Sequence, residues 1–405
     1  MKNPTDRRTF LAQGAGALAA VALAPDFIAA APRRRGRASK VALIGAGRRG
    51  REILDELRKL EAVEVGAICD IVPARVASGI ERAPGAAGFA EHAALLERAD
   101  IEAVIVATPT HLHRDIVVDA LAAGKHVYCE APIAHSPDDC DAIVAAATDA
   151  GGVFHAGFQA RSNPLYRRAL LAVRSDGVRE MISLYAQHHR KTSWRFPSAE
   201  GQPGRAANWR QDPLVSLGLA GELGSHQFDV FSWFRGREPE QVSGTGSVRF
   251  HDDGRRVYDT ARAELVWDDG IALHWQATLG NSYGGEHEIV YGSNAAVKLA
   301  GTHGWLFKEA DSPTQGWEVY ATRQQFHRDE GIVLVADATQ LAAQGRLKEG
   351  GGLEHPPLYF ALADFVRSFL EGEEVACTAE QGAAATRVGI RVAEAIGHAP
   401  EADPQ

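Results

Sequence analysis

The stretch Lys40 to Gly50, KVALIGAGRRG, passes from apolar residues into Gly45, Gly47 and Gly50 and then into a helical pattern. This spacing restricts the local fold to a strand, a tight turn and a helix start. Gly45 permits the turn, Gly47 lets a pyrophosphate approach the backbone, and Gly50 lets the helix pack closely on the strand. Free N–H groups at the helix start face the phosphates, so Gly45, Gly47, Arg48, Arg49 and Gly50 form the expected phosphate loop. A second apolar strand, VEVGAICD, ends on Asp70, 20 residues after Gly50, where a carboxylate meets the adenosine ribose hydroxyls. Asp70 favours NAD, because it repels the 2'-phosphate of NADP. Ile71, Val72 and Pro73 offer no cation to offset that, and Arg75 is the nearest.

Beyond Asp70 the pattern keeps alternating. Glu91–Arg98 reads as a short helix, IEAVIVATPT from Ile101 as a buried strand, His111–Ala123 as a helix stopped by Gly124, and HVYCEAP as a strand. Ser136–Ala150 starts with a cap and a proline and leads into the strand VFHAGF. The alternation predicts an α/β fold, a Rossmann-type doubly wound parallel sheet over 39–158. Past Phe158 the period becomes two. MISLYAQHH, QVSGTGSVRF, DTARAELVW, IALHWQATL, HEIVYG and AAVKLAG read as strands, with Asp268-Asp269-Gly270 as a hairpin turn. The expected second domain, 159–398, is α+β: an open, mostly antiparallel sheet with one face covered, and helices from about 355 packing back.

The length of 405 residues suits two domains, and a composition 45% hydrophobic and 23% charged is that of an ordinary globular chain. A net charge of -9 argues against a nucleic-acid surface. The basic run Arg33–Arg37 falls in a linker, 32–38. Residues 1–31 resemble a twin-arginine export signal, with Arg7-Arg8 ahead of a mildly apolar segment ending near Ala31. That segment is too short and too rich in glycine and alanine for a stable membrane span. The expectation is cleavage near Ala31 and a periplasmic or secreted protein. Cys69, Cys129, Cys140 and Cys377 have no CxxC spacing, so neither a zinc site nor a redox pair is indicated.

Ligands bind such sheets at the carboxyl ends of the strands. The segments ending there place Thr108, Pro109, Glu130 and Gln159 against a cofactor, with Glu130 and Gln159 as candidates for the nicotinamide ribose or amide. Adjacent His188 and His189 on a strand point to opposite faces, and no HExxH motif or carboxylate cluster accompanies them, so no metal is expected.

GAGRRG, TPTHLHRDIVVDALAAGKHVYCEAP and GELGSHQFD together resemble the Gfo/Idh/MocA family of sugar and inositol dehydrogenases, over nearly the whole chain after residue 31. His113, Gly124, Lys125, His126, Glu130 and Pro132 are in register in the middle block. The resemblance implies that His113 and Glu130 belong to the cofactor site, that His226 is the general acid/base, and that the protein is a homo-oligomer. Spacing supports His226 on its own terms: Glu222, His226 and Asp229 lie at i, i+4 and i+7, so a helix puts them on one face. A carboxylate beside an imidazole fixes its tautomer and raises its basicity.

One departure stands out. The family reads Glu-Lys-Pro where this chain has Glu130-Ala131-Pro132, and that lysine assists proton transfer at the substrate hydroxyl. His188, His189, Arg190, Lys191, Tyr166 and Arg161 are the candidate replacements, with Trp209 and Arg210 as a sugar-stacking pair. The expectation is a periplasmic oxidoreductase that oxidises a sugar, glycoside or polyol hydroxyl with tightly bound NAD, since an exported enzyme has no cytosolic pool to draw on. One alternative is a redox-neutral NAD-dependent glycosidase working by oxidation at C3, elimination, hydration and reduction. The other is a non-catalytic sugar-binding protein.

Overall fold

The structure, a computed structural model, describes residues 36, 38–175, 177–196, 207–314, 321, 323–326, 329–334 and 352–398. The arginine pair, the apolar segment after it and all of the linker except residues 36 and 38 lie outside the described residues. The chain divides into two compact units. The larger comprises the described residues of 30–163, 183–288 and 355–405, and the smaller those of 164–182 and 289–354.

The larger unit opens with β1 (Ser39–Ile44), α1 (Arg48–Leu57), β2 (Val63–Cys69), α2 (Pro73–Arg82), β3 (Ala87–Phe89), α3 (His92–Leu96) and β4 (Ala103–Val106). It continues with α4 (His113–Ala122), β5 (His126–Glu130), α5 (Pro137–Asp149) and β6 (Phe154–Gly157). All six strands are parallel, in the order β3-β2-β1-β4-β5-β6. The four residues of β4 have no exposed surface, as a parallel strand covered on both faces requires. Ser136 caps α5 by accepting the Asp139 N–H at 3.1 Å. Strand order reverses between β1 and β4, and the crevice at their carboxyl ends is where this topology places a ligand.

α6 (Pro164–Arg174) belongs to the smaller unit. The chain then forms β7 (Met181–His189), α7 (Ser225–Arg235), β8 (Gln241–Ser247), β9 (Thr260–Val266) and β10 (Ala272–Thr278). In the larger unit these strands run β7-β10-β9-β8. The β9–β10 hairpin turns through Gly270 at φ +81°, as the Asp-Asp-Gly signal predicts. β7 pairs with β10 in parallel, an exception to the antiparallel expectation that two-residue periodicity cannot reveal. α8 (Pro357–Glu371) and α9 (Ala379–Ile396) close the chain, and α9 packs on β8 and β9, covering one face. Thr378 and Gln381 form a capping box at its start.

The smaller unit contains α6, most of β11 (Glu286–Gly292), β12 (Ala295–Ala300), β13 (His303–Lys308), β14 (Arg323–Phe326) and β15 (Asp329–Val333), with strand order β14-β15-β13-β12-β11. Among the described residues no helix is long and apolar enough to cross a membrane.

Candidate active site

β1 delivers the chain into Gly45 at φ +96°, where a Cβ would stand 2.6 Å from the Ala107 carbonyl oxygen at the end of β4. A Cβ on Gly50 would meet the Gly45 carbonyl oxygen at 2.0 Å, so α1 reaches β1 only because Gly50 is bare. At Gly47 nothing lies within 4 Å of where a Cβ would be. The loop is therefore crowded on its sheet side and open where the backbone N–H groups of the helix start face outward. Replacing Gly50 by alanine is expected to push α1 from the turn, costing about 1–3 kcal/mol and at least a tenfold loss in NADH affinity. Thermal melting and fluorescence titration check this, and a variant matching the parent in both would remove the assignment.

Asp70 closes the same loop. Its Oδ2 accepts the Ala46 N–H and its Oδ1 the Val72 N–H, both at 2.9 Å, and Arg75 lies 3.8 Å from Oδ1. The expectation set its carboxylate directly on the ribose. The structure shows it first clamping the glycine turn, with the second acceptor site of each oxygen left for hydroxyls.

Arg49 and Glu130 form a largely buried ion pair, Nε to Oε1 3.1 Å, that joins α1 to the end of β5. Burial works against the Arg49 cation, yet Glu130 holds its pKa above the ordinary arginine value. For Glu130 burial wins over Arg49 and raises the carboxyl pKa. Arg48 turns away to Glu52 at 3.2 Å, so its side chain is not part of the loop's ligand face as expected. Arg49 Nη2 and the Thr108 hydroxyl are buried without a hydrogen-bond partner, and Glu130 Oε1 is held by its ion pair with Arg49 Nε. Buried polar atoms are ordinarily satisfied, and these two cluster with Glu130 at the strand ends beside the open Gly47. The arrangement fits a dinucleotide, with the loop amides at its phosphates and these side chains along its polar edges.

His113 is a correction. Its Nδ1 and Nε2 each lie 2.9 Å from a backbone carbonyl, of Pro132 and Thr108 respectively, so the ring ties two strand-end loops together and has no nitrogen left for a cofactor. Pro109 begins the 3-10 turn Thr110–Leu112, and Gln159 opens another, Gln159–Ser162, after β6.

His226 lies in the first turn of α7, which follows directly on a π-helical turn, Ala220–Gly224. Such turns are rare and often mark functional sites. The ring is partly buried, packs 5.6 Å from Phe158 and hydrogen-bonds to the Ala131 backbone. Burial, with repulsion from Arg49 and His188, pushes its pKa down to about 4, so the imidazole is neutral at pH 7.

The expected carboxylate–imidazole pairing does not form. Glu222 accepts the Thr110 hydroxyl at 3.1 Å and pairs with Arg210 Nε at 3.4 Å. Asp229 takes Arg161 in a bidentate grip, Nη2 to Oδ1 2.7 Å and Nε to both oxygens 3.1 Å, with the side chains 1% and 9% exposed. Asp229, expected with the substrate on the His226 face, and Arg161, a candidate replacement for the lysine, instead form a buried tie between α7 and the turn after β6. Four residues per step align side chains on an α-helix, but Glu222 sits in the wider π turn and faces another element.

Trp209 and Arg210 stand together as expected. The Arg210 guanidinium lies 4.3 Å from the Trp209 ring and 5.7 Å from Trp194, with Trp194 held at φ +56°. Trp209 also meets His111 edge-on at 5.9 Å. His188 and His189 diverge as the strand period requires. His188 Nδ1 is buried, 3.6 Å from Glu286, whereas His189 Nδ1 lies 3.1 Å from the Tyr283 carbonyl and is taken out of the substrate set. Tyr166 belongs to α6 of the smaller unit, where its hydroxyl accepts the Gly301 N–H at 3.4 Å. Thr110 and Glu286 were not anticipated. Thr110 lies in the same strand-end segment as Thr108 and Pro109, while nothing local marks Glu286. Among the described residues no group of three or more His, Cys, Asp or Glu is arranged to hold a metal.

An open glycine turn and orphaned polar atoms along the strand ends, with a partly buried histidine close by, form a dinucleotide site with a proton-transfer group beside it. The chain belongs to the Gfo/Idh/MocA oxidoreductase family: residues 39–158 match its NAD-binding Rossmann fold and residues 184–399 its C-terminal alpha/beta domain. An inositol 2-dehydrogenase of Pseudarthrobacter chlorophenolicus is 29% identical over 205 residues, 50% of this chain and 56% of that protein. A 2,7-anhydro-N-acetylneuraminate hydratase of Mediterraneibacter gnavus is 32% identical over 219 residues, 51% of this chain and 53% of the relative. The chain thus spans little more than half the length of these two relatives. Levoglucosan dehydrogenase, solved with NADH and L-sorbose, shares the fold at a TM-score of 0.69 and 16% identity, over 91% of this chain and 100% of that one.

Proposed function

We propose that this protein oxidises a secondary hydroxyl of a sugar, glycoside or polyol with a tightly held NAD, and that it does so in the periplasm after twin-arginine export. The observation that carries the reading is His226: a neutral, partly buried imidazole, fixed to the Ala131 backbone one residue beyond Glu130. Bound NAD supplies the hydride acceptor. The loop Gly45–Gly50, Asp70, Thr108, Arg49 and Glu130 would hold it, with Gln159 at the neighbouring strand end. His226 takes the hydroxyl proton, and its low pKa keeps it in the accepting form at neutral pH. Arg210, over the Trp209 ring at 4.3 Å and within 5.7 Å of Trp194, offers with them a stacking wall and a donor to sugar hydroxyls. Assembly into a homo-oligomer belongs to the same reading.

A second reading, redox-neutral chemistry that returns the cofactor within each turnover, is favoured by Ala131, whose methyl cannot transfer a proton. The hydratase relative supports it. Purified mature protein, never given cofactor, is denatured and its supernatant assayed for NAD(H). Near-stoichiometric release is expected, and an empty protein would end the trapped-cofactor reading. The native preparation is then given aryl glycosides without NAD. Cleavage selects the redox-neutral route, and turnover only with an added acceptor sugar selects plain oxidation. If the native protein turns over neither the glycosides nor the acceptor sugar and His226→Ala behaves identically, the protein is a non-catalytic binder.

A further inference from the structure

The geometry points to His188, backed by Glu286, as a second proton-transfer group of this site, one that exchanges the C–H proton next to the carbonyl that His226 helps to form. The inference rests on the reading that the site takes a sugar or polyol.

Four observations place it. In β7 the side chains of Leu184, Ala186 and His188 share one face, and their partners in β10 are Leu273, Trp275 and Ala277. Trp275 meets Phe228 of α7 at 5.3 Å, so this face of the sheet looks onto the helix that carries His226. Gln227, the residue after His226, donates to the carbonyl of Gln187, the residue before His188, at 3.1 Å. The same amide reaches the Glu288 carboxylate at 2.8 Å and its oxygen accepts from the Trp275 indole at 2.9 Å, which locks α7 against β7 and β10. The two histidines are therefore neighbours across a pinned junction.

Chemistry then distinguishes His188 from the residue beside it. Its Nδ1 is buried, has no hydrogen-bond partner among the described residues, and lies 3.6 Å from the Glu286 carboxylate. Burial lowers its pKa, while Glu286 opposes the shift and Arg190 and His189 add to it. A neutral ring with a carboxylate behind it is a base whose cation has a waiting partner. Glu286 is half exposed, so the dyad ends at solvent and can reload. His189 lies on the other face with its nitrogen held by Tyr283.

Once a hydroxyl has become a carbonyl, the adjacent C–H is acidic. His188 takes that proton, the C–H electron pair moves into a C=C bond, and the carbonyl electron pair moves onto oxygen. Return of a proton from His188 restores the ketone, with no net redox change. In deuterated water the returned atom is deuterium.

The test uses 2-keto-myo-inositol as probe with the purified holoprotein in D2O, and follows loss of the C–H signals beside the ketone by NMR. The wild type should exchange at least about tenfold faster than buffer. His188→Gln should lower that rate about 10²-fold with unchanged thermal melting, Glu286→Gln about fivefold, and His189→Gln less than twofold. Exchange at the buffer rate in the wild type, or full exchange in His188→Gln, would overturn the proposal. NADH formation from myo-inositol and added NAD, in the same preparations, reads the oxidoreductase assignment separately. Oxidation without exchange removes His188 alone. Exchange in a protein that neither binds NAD(H) nor forms NADH removes the oxidoreductase reading and leaves His188 in place.

Discussion

Replacing His226 by glutamine lowers the rate of hydroxyl oxidation about 10²–10⁴-fold and leaves NADH binding within about twofold, because the loop, Asp70 and Thr108 are untouched. Single-turnover nicotinamide absorbance and equilibrium fluorescence titration separate the two quantities. Equal losses in both would make His226 a cofactor residue and not the base. In the unaltered protein the acid limb of the oxidation rate should lie near 4, well below the 6.5 of an ordinary histidine, since only protonated His226 is inactive. An acid limb at the ordinary histidine value would contradict the buried, repelled imidazole. The same depression acts on stability. His113 and His226 both have folded pKa values of about 4, below 6.5 when unfolded. Between those values the unfolded chain binds more protons than the folded one. Stability is therefore fully present above pH 6.5 and is lost as pH falls toward 4.

Asp229→Ala destabilises the protein by about 3–5 kcal/mol, because it removes the carboxylate that grips the Arg161 guanidinium where its side chain is 9% exposed. Burial alone raises the Asp229 carboxyl pKa, and it is Arg161 that opposes the shift, so neither group is comfortable without the other. Denaturant unfolding gives the number. A double variant, Asp229→Leu with Arg161→Met, should recover much of it, since a well-packed apolar pair avoids both desolvation costs. A substrate residue would behave otherwise: the single variant would melt normally and lose affinity for sugar.

These two results also mark where reading the chain succeeded and where it stopped. The glycine turn, the alternating strands and Asp70 are local patterns set by backbone sterics and a period of two or 3.6, and they specify the Rossmann sheet without reference to anything distant. His226 followed from resemblance, and its neighbours on the helix face followed from periodicity. Periodicity gives direction but not partner. Glu222 and Asp229 were each captured by an arginine from another element, Arg210 and Arg161, and Arg161 is 68 residues away from Asp229 in sequence. The π turn also widened the spacing that would have stacked Glu222 under His226. His113 failed for a related reason: its register is diagnostic, but both of its nitrogens serve backbone carbonyls. His188 and His189 were correctly split between faces, yet only the β7–β10 pairing shows which of them looks toward α7.

His226 leans on the backbone of Ala131. A change of side chain at residue 131 therefore leaves in place the backbone group that anchors the base. Geometry and reactivity are inherited separately there. A proton carrier can be placed at residue 131 by a single substitution while the histidine stays aimed, so this peptide unit separates what holds the base from what would assist it.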